Sequence, residues 1–453
     1  HASISSSVAL PGNITVKKSF VFLLLALALV VIVSPGIVGK LAEQSMDENL
    51  DWAASESREF KVTSQGFDRG WFSSEGRHRI ELNDGDVRNV LDVVFQDSGY
   101  SGIPALIIDT HIDHGLVPVS SMGREQGSLA PGLGSAISTL QLEFAGGDTV
   151  DLPGTIYSKV GLAGDLQSNL VIEPGTFSDG TETVQWGNVD TLITMSAASN
   201  TVGFDGIVEQ LVLVTPSDEI TVDTMTFEGE QARTLYGFSV GDAEISIASI
   251  AYPTEFGNME TGPLKLTSTA SLDGELVSAR TTLDMEYLPF GELGPASMGF
   301  DVSFDHIDAA AISRISDVLD DVDSYGSGDA LRLAVEDDLR ILFAKGFGMR
   351  VDRLDIAMPP GTVSATMTVD VEPTDIDAFV MTSLLLAVDA KLDLSVPEEL
   401  YDYALTLDPQ IGAAVAMGFL TWDGSTYRMQ AEFSNGLLTV NGAPMPGIIP
   451  GLQ

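Results

Sequence analysis

This sequence predicts an α+β fold: a predominantly antiparallel, extended and curved β-sheet with helices in the C-terminal third, preceded by one N-terminal transmembrane helix. Three observations predict it. Between residues 60 and 304, short runs alternate apolar and polar residues in the period of a strand, and turn residues separate them. Apolar spacing of three and four, the helical period, first becomes regular beyond Asp308. Near the start, no charged residue occurs from Ser19 to Gly39.

That uncharged stretch is long enough, at about 1.5 Å per helical residue, to cover a bilayer core of roughly 30 Å. Phe20 to Val33 is its most apolar part, with Lys17 and Lys18 in front and Glu43, Asp47, Glu48 and Asp51 soon after. Each Leu, Ile, Phe or Val there favours insertion by about 0.3–0.6 kcal/mol, and the flanking charge holds the N-terminus in the cytoplasm and sends the bulk of the chain across. A cleaved signal peptide needs a small-x-small site. Ile32-Val33-Ser34 is followed by Pro35, and Ile37-Val38-Gly39 carries a bulky residue where a small one is needed, so an uncleaved signal-anchor is the expectation. Residues 1–15 are polar and unpatterned, and Val16-Lys-Lys-Ser-Phe reads as a start followed by a positive segment. Residues 1–15 are therefore expected to be a non-native or disordered N-terminal extension.

The chain is 453 residues long and 44% hydrophobic, enough to bury a sizeable core. Its 65 acidic and 22 basic residues leave a net charge of −43, spread along the chain rather than gathered in a tail. A surface of that sign repels nucleic acid, and it fits a salty surrounding where screening weakens self-repulsion. There is no Cys, which excludes disulfides, thiol catalysis and Cys-based metal sites.

Strands are expected at Phe60–Ser64, Arg77–Asn83 and Ala105–Gly115, then at Gln141–Phe144, Gly154–Leu162, Leu166–Ile172, Val184–Trp186, Gly203–Val214 and Thr221–Phe227. Tyr236–Val240, Glu244–Ile250, Leu264–Leu272, Leu276–Tyr287 and Met298–Phe304 follow. Pro153-Gly, Glu173-Pro-Gly, Asp179-Gly, Asp205-Gly and Asp273-Gly read as the turns between them. Asp308 is placed to cap a helix through Ile312, Ile315, Val318, Leu319 and Val322; Asp329 caps a second that Lys345-Gly346 ends. Pro359-Pro-Gly361 divides a strand pair, and Thr374 opens a third helix through Ile376, Phe379, Val380, Leu384 and Val388. Pro397 and Pro409 each suit a first helical position. The chain closes in a meander, Phe419–Trp422, Tyr427–Phe433 and Leu437–Val440, turned by Asp423-Gly and Asn435-Gly. The expected divisions are residues 1–15, an anchor at 16–40, a connector at 41–60, a β-rich half at 61–258 and an α+β half at 259–453.

Convincing chemistry is scarce. Asp109, His111 and Asp113 alternate and so share one strand face, a carboxylate–imidazole–carboxylate set that suits a divalent metal and a metal-dependent hydrolase. Neighbours on a strand face lie nearly 7 Å apart, too spread for three to close on one ion without distortion, so a solvated face is the expectation. Arg58, Lys61, Arg69, Arg77, Arg79 and Arg88 interleave with acidic residues, which points to cross-strand ion pairs rather than a lipid-binding patch. Gly237-Phe-Ser-Val-Gly241 has the letters of a nucleophile elbow, but the alternating Asp242-Ala-Glu-Ile-Ser-Ile follows where a helix is required. No catalytic, cofactor-binding or metal residue is assigned.

Phe67-Asp-Arg-Gly-Trp-Phe-Ser-Ser-Glu-Gly resembles a segment of the YdgA-like family of bacterial envelope proteins, a domain of unknown function. Ile112-Asp-His-Gly-Leu-Val-Pro is similar to the family's Ile-x-His-Gly-Pro element, with Leu116 in place of a Pro. Ile307-Asp-Ala-Ala-Ala-Ile and Leu438-Thr-Val-Asn-Gly442 resemble two later segments, and the elements fall in family order over roughly residues 16–447. The resemblance implies a single-pass protein of the bacterial inner membrane with its C-terminal domain in the periplasm, and it supplies no catalytic residues. The expectation is a non-enzymatic binding or assembly protein, at the inner membrane bilayer, as a homo-oligomer or as a shelter for a lipid or other apolar ligand, without a cofactor.

Overall fold

The computed structural model describes residues 60–69, 73–83, 103–114, 134–144 and 147–445, the last with gaps at 148, 162, 179–182, 197, 216–218, 255–256, 290–293, 321–326 and 375–384. The Phe20–Val33 run lies outside them, and among the described residues no helix is long and apolar enough to cross a membrane. The chain divides into two compact units, His1–Glu230 with Ile247–Met259 and Gln231–Ser246 with Glu260–Gln453. The described fold is mostly antiparallel sheet, and its four α-helices all follow residue 308.

In the first unit, β1 (Phe60–Arg69), β2 (Ser73–Leu82), β3 (Ala105–His114), β4 (Gly134–Glu143), β5 (Thr149–Val160) and β6 (Leu166–Ile172) pair in sequence, each antiparallel to the next. After β7 (Gly175–Ser178) and β8 (Thr183–Trp186), β9 (Val189–Ser196) joins β6, β10 (Thr201–Val214) joins β9, and β8 returns to β10. The order follows from the side chains. Ile80, Leu106, Leu140, Leu170, Val184 and Leu213 fall on one face and bury almost completely; Ile80 is 1% exposed. Two pairs of hydroxyls on that face meet each other, Thr110 with Ser138 and Ser158 with Ser168, both at 2.8 Å, which satisfies their burial.

Two sequence-expected turns are strand interior. Pro153-Gly154 is a bulge in β5, where the register against β4 shifts between Thr139 and Leu140. Asp205-Gly206 lies within β10, because Gly206 faces the buried ring of Phe227 on β11 (Glu219–Arg233); a Cβ there would lie 2.3 Å from its Cζ. Gly206→Ala is expected to overpack the core by about 1–3 kcal/mol, visible as a lower thermal midpoint. β9 went unforeseen, since Leu192 and Ile193 break its alternation.

In the second unit, β12 (Ser239–Ile247) pairs with β15 (Leu264–Asp273); of the strands between them in the chain, β13 (Ile250–Thr254) belongs to the first unit, where it pairs with β11, and β14 (Gly257–Thr261) runs across the division. From β15 the sheet is a plain meander through β16 (Leu276–Pro289), β17 (Pro295–Asp308), β18 (Phe347–Met358), β19 (Gly361–Val371) and β20 (Val388–Pro397). It continues through β22 (Thr426–Ser434) and β23 (Leu437–Val440) to β24 (Ala443–Pro444), while β21 (Thr421–Trp422) pairs with β22. Asn435 and Gly436, with φ of 53° and 75°, supply the turn expected of Asn-Gly.

Helix α1 (Ala309–Asp320) starts where Asp308 accepts from the Ala311 N–H at 2.7 Å, as its position suggested. Helix α2 (Gly328–Lys345) is capped by Ser327 rather than Asp329: Ser327 Oγ accepts from the Ala330 N–H, and Asp329 sits in the first turn. The expected third helix falls mostly on residues 375–384, outside the described set, and Val388 belongs to β20 instead. Pro397 is the N-cap of α3 (Glu398–Leu407), one residue before the expected position, whereas Pro409 opens a short 3-10 turn ahead of α4 (Gly412–Ala416).

Candidate functional site

The acidic–imidazole set on β3 is a network of cross-strand pairs. Register places Glu75 opposite His111 and Arg77 opposite Asp109. Asp109 is held by Arg77 at 3.1 Å, while His111 faces Glu75 through Nδ1 at 3.5 Å and Asp113 through Nε2 at 3.3 Å. Arg79 pairs with Glu143 and Glu81. Ion pairing across strands is thus what Arg77 and Arg79 do. The solvated-face expectation fails at Asp113, which is 2% exposed: alternation shows that these residues share a face but not whether that face is wet. Asp109 turns to Arg77, and among the described residues no group of three or more His, Asp or Glu is placed to hold a metal ion. Ser239 opens β12, so strand rather than helix follows the elbow-like letters.

The second unit holds a different kind of site. Alternation along β15 to β20, β22 and β23 sorts apolar residues to one face and charged residues to the other. Register joins them into unbroken rows. One row is Leu266, Leu283, Phe300, Leu354, Ala365, Leu394 and Met429. The next includes Val302, Val351, Met367, Leu392 and Ala431. A third runs through Phe304, Met349, Val369, Ala390 and Phe433. β18 stays in phase because its register shifts between Val351 and Leu354, which returns both side chains to the same face. No ionisable group interrupts these rows. With strands about 4.8 Å apart and rows nearly 7 Å apart, the longest row spans roughly 29 Å and the three rows together roughly 14 Å.

Unlike the core face of the first unit, this one has no full cover among the described residues. Leu354 is 37% exposed, and the other residues of the three rows named here are half-buried. Met285, Met298, Met349, Met367 and Met429 all lie on it, and methionine's unbranched, polarisable side chain adapts to irregular apolar partners.

Helices stand over both ends of these strands. At the β17–α1 junction, Ala311, Ile315 and Leu342 pack on Ile307 and Phe347, and Phe343 meets Phe347 edge-on at 5.8 Å. At the other end, Tyr401 of α3 lies on Tyr427 of β22, ring centroids 4.0 Å apart, with Trp422 at 5.1 Å from Tyr427. The result is an apolar floor with helical walls, suited to laying an apolar chain across the strands. Among the described residues, the floor contains no nucleophile, acid–base pair or metal ligand set.

A family model described as a bacterial protein of unknown function, DUF945, matches residues 16–447. The chain belongs to this family. The resemblance drawn from Phe67–Gly76 and Leu438–Gly442 is therefore correct. No curated protein and no solved structure matches. In this DUF945 chain the segments carrying the resemblance fasten the fold. Ile307-Asp308 ends β17 and caps α1. Asn441, at φ 50°, donates from Nδ2 to the carbonyls of Gly418 and Phe419 and accepts from the Gln430 N–H, tying the meander to the turn before it. The apolar face of this DUF945 chain was partly legible. Leu264–Leu272, Leu276–Tyr287 and Met298–Phe304 all alternate in the sequence, but no local signal says that their shared face lacks a cover.

Proposed function

We propose that this protein is a non-enzymatic, membrane-anchored binding protein of the bacterial envelope that shelters an apolar chain, such as a lipid acyl tail, on the uncovered face of β15–β20, β22 and β23. Phe20–Val33 anchors it in the inner membrane, and the flanking charges place the β-rich bulk on the periplasmic side. The observation that carries the reading is the apolar face itself. A monomer rarely leaves an apolar patch beyond about 300–600 Å² open, and larger ones mark interaction sites. The footprint of this face is on the order of 300–400 Å², its residues stay partly exposed, and it bears no charge and is rich in methionine.

The test is lipid recovery. Full-length protein is purified in lipid-free detergent, extracted with organic solvent and assayed by mass spectrometry. About one lipid per chain, retained through gel filtration and lost on substitution within the face, is the expected outcome. Protein that is empty across repeated preparations contradicts the reading.

A further inference from the structure

The charges around the apolar face restrict what its occupant carries at its polar end. From Lys265 to Arg428, every lysine and arginine among the described residues is already held by a carboxylate. On the α1–α2 wall, Arg314 is bound by Asp338, and Lys345 by Asp308 and Glu275. A head group of net negative charge arriving at either end therefore finds no lysine or arginine that is not already paired. In a chain of net charge −43 it also gains nothing from the general field.

The α3 end has the opposite character. α3 contains Glu398, Glu399 and Asp402 and no lysine or arginine. Glu398, Tyr401 and Asp402 fall at i, i+3 and i+4, so they share one side of the helix. Tyr401 on that side is the ring that rests on Tyr427. Trp422 adjoins Tyr427 and is 43% exposed. Tyr427 alternates with Met429 and Ala431, so the aromatic group is continuous with the apolar rows. Asp402 and Glu398 are close enough for their charge, after burial and Tyr401, to help raise the Tyr427 hydroxyl above its ordinary pKa. Tyr401 is itself buried, so the exposed ring of Trp422 and the half-buried ring of Tyr427, beside carboxylates, are what match the chemistry that recognises an ammonium group.

We infer that the occupant of the apolar face is an ammonium-headed lipid, its tail across the strands and its head at Trp422 and Tyr427, facing Glu398 and Asp402. This rests on the apolar-face reading and adds the head-group class.

The experiment offers delipidated full-length protein an equimolar mixture of phosphatidylethanolamine and phosphatidylglycerol with identical chains, and counts what stays bound by mass spectrometry. The ammonium lipid is expected in about tenfold excess. In Trp422→Ala and in Glu398→Gln with Asp402→Asn, the ratio of the two lipids falls to about one, a readout that loss of folding, which lowers both alike, does not mimic. Equal recovery, or an excess of phosphatidylglycerol, overturns the head-group assignment and leaves the apolar-face reading standing. Absence of both lipids overturns the two together.

Discussion

Met367→Glu is expected to reduce acyl-chain binding by about a hundredfold while leaving the second unit folded. Met367 sits mid-row, between Val351 and Leu392, on a face that is only half covered. With the face empty, a glutamate there keeps its water, and the stability cost stays within roughly 1 kcal/mol, as for most substitutions outside a closed core. With an acyl chain laid over it, the same carboxylate sits in hydrocarbon, where a charged side chain costs about 2.5–3.5 kcal/mol on the insertion scale. That difference is close to two decades in affinity. Met367→Leu keeps the face apolar and is expected to bind within about threefold of the parent. Uptake of a fluorescent fatty acid, measured beside circular dichroism, checks both. Equal binding by the Glu variant places the ligand elsewhere.

Asp308→Ala is expected to destabilise the second unit by about 2–3 kcal/mol, the sum of a lost N-cap and a lost charge-assisted bond. Asp308 is 4% exposed, accepts from the Ala311 N–H through one oxygen and from the Lys345 ammonium through the other. It thereby ties the start of α1 to the end of α2. Burial opposes its charge, but Lys345 and the Ala311 N–H outweigh that and hold the carboxyl below its ordinary 3.8. The sign follows directly. Its stabilisation is complete above about pH 4, where the unfolded carboxyl is also ionised, and fades as pH falls through the lower native value. Lys345 is raised above its ordinary 10.5 by Asp308 and Glu275, so its share is present below that pH and is lost on further alkalisation. Asp308→Asn keeps a cap acceptor but no charge, so it should lose less stability and flatten the acid limb. Urea unfolding of the full chain between pH 3 and 8 separates these terms. An unchanged acid limb in the Asn variant contradicts the assignment.

The strand period was readable wherever one face is apolar. Leu166–Ile172 is β6 to the residue, and Leu276–Tyr287 falls within β16. Reading failed where a contact distant in sequence decides. Gly206 has the look of a turn glycine after Asp205, but the ring of Phe227 is what demands it. Asp329 was a plausible cap, yet Ser327 has the extended backbone and the hydroxyl in reach, so it takes the role. Asp113 alternates like a surface residue and is buried, although its neighbours His111 and Ile112 are only half-buried. The candidate site shows the same division. Its alternation is local and was visible; the missing cover and the paired state of the surrounding cations are products of tertiary structure.

Photo-crosslinking is the most direct test of acyl-chain binding at the uncovered face. Full-length protein is loaded with a fatty acid carrying a diazirine at the chain midpoint, irradiated, digested and mapped by mass spectrometry. Crosslinks concentrated on 298–304, 349–356, 363–369 and 390–394, and competed by unlabelled lipid, are the expected result. Crosslinks confined to residues 16–40 or to the first unit would contradict it.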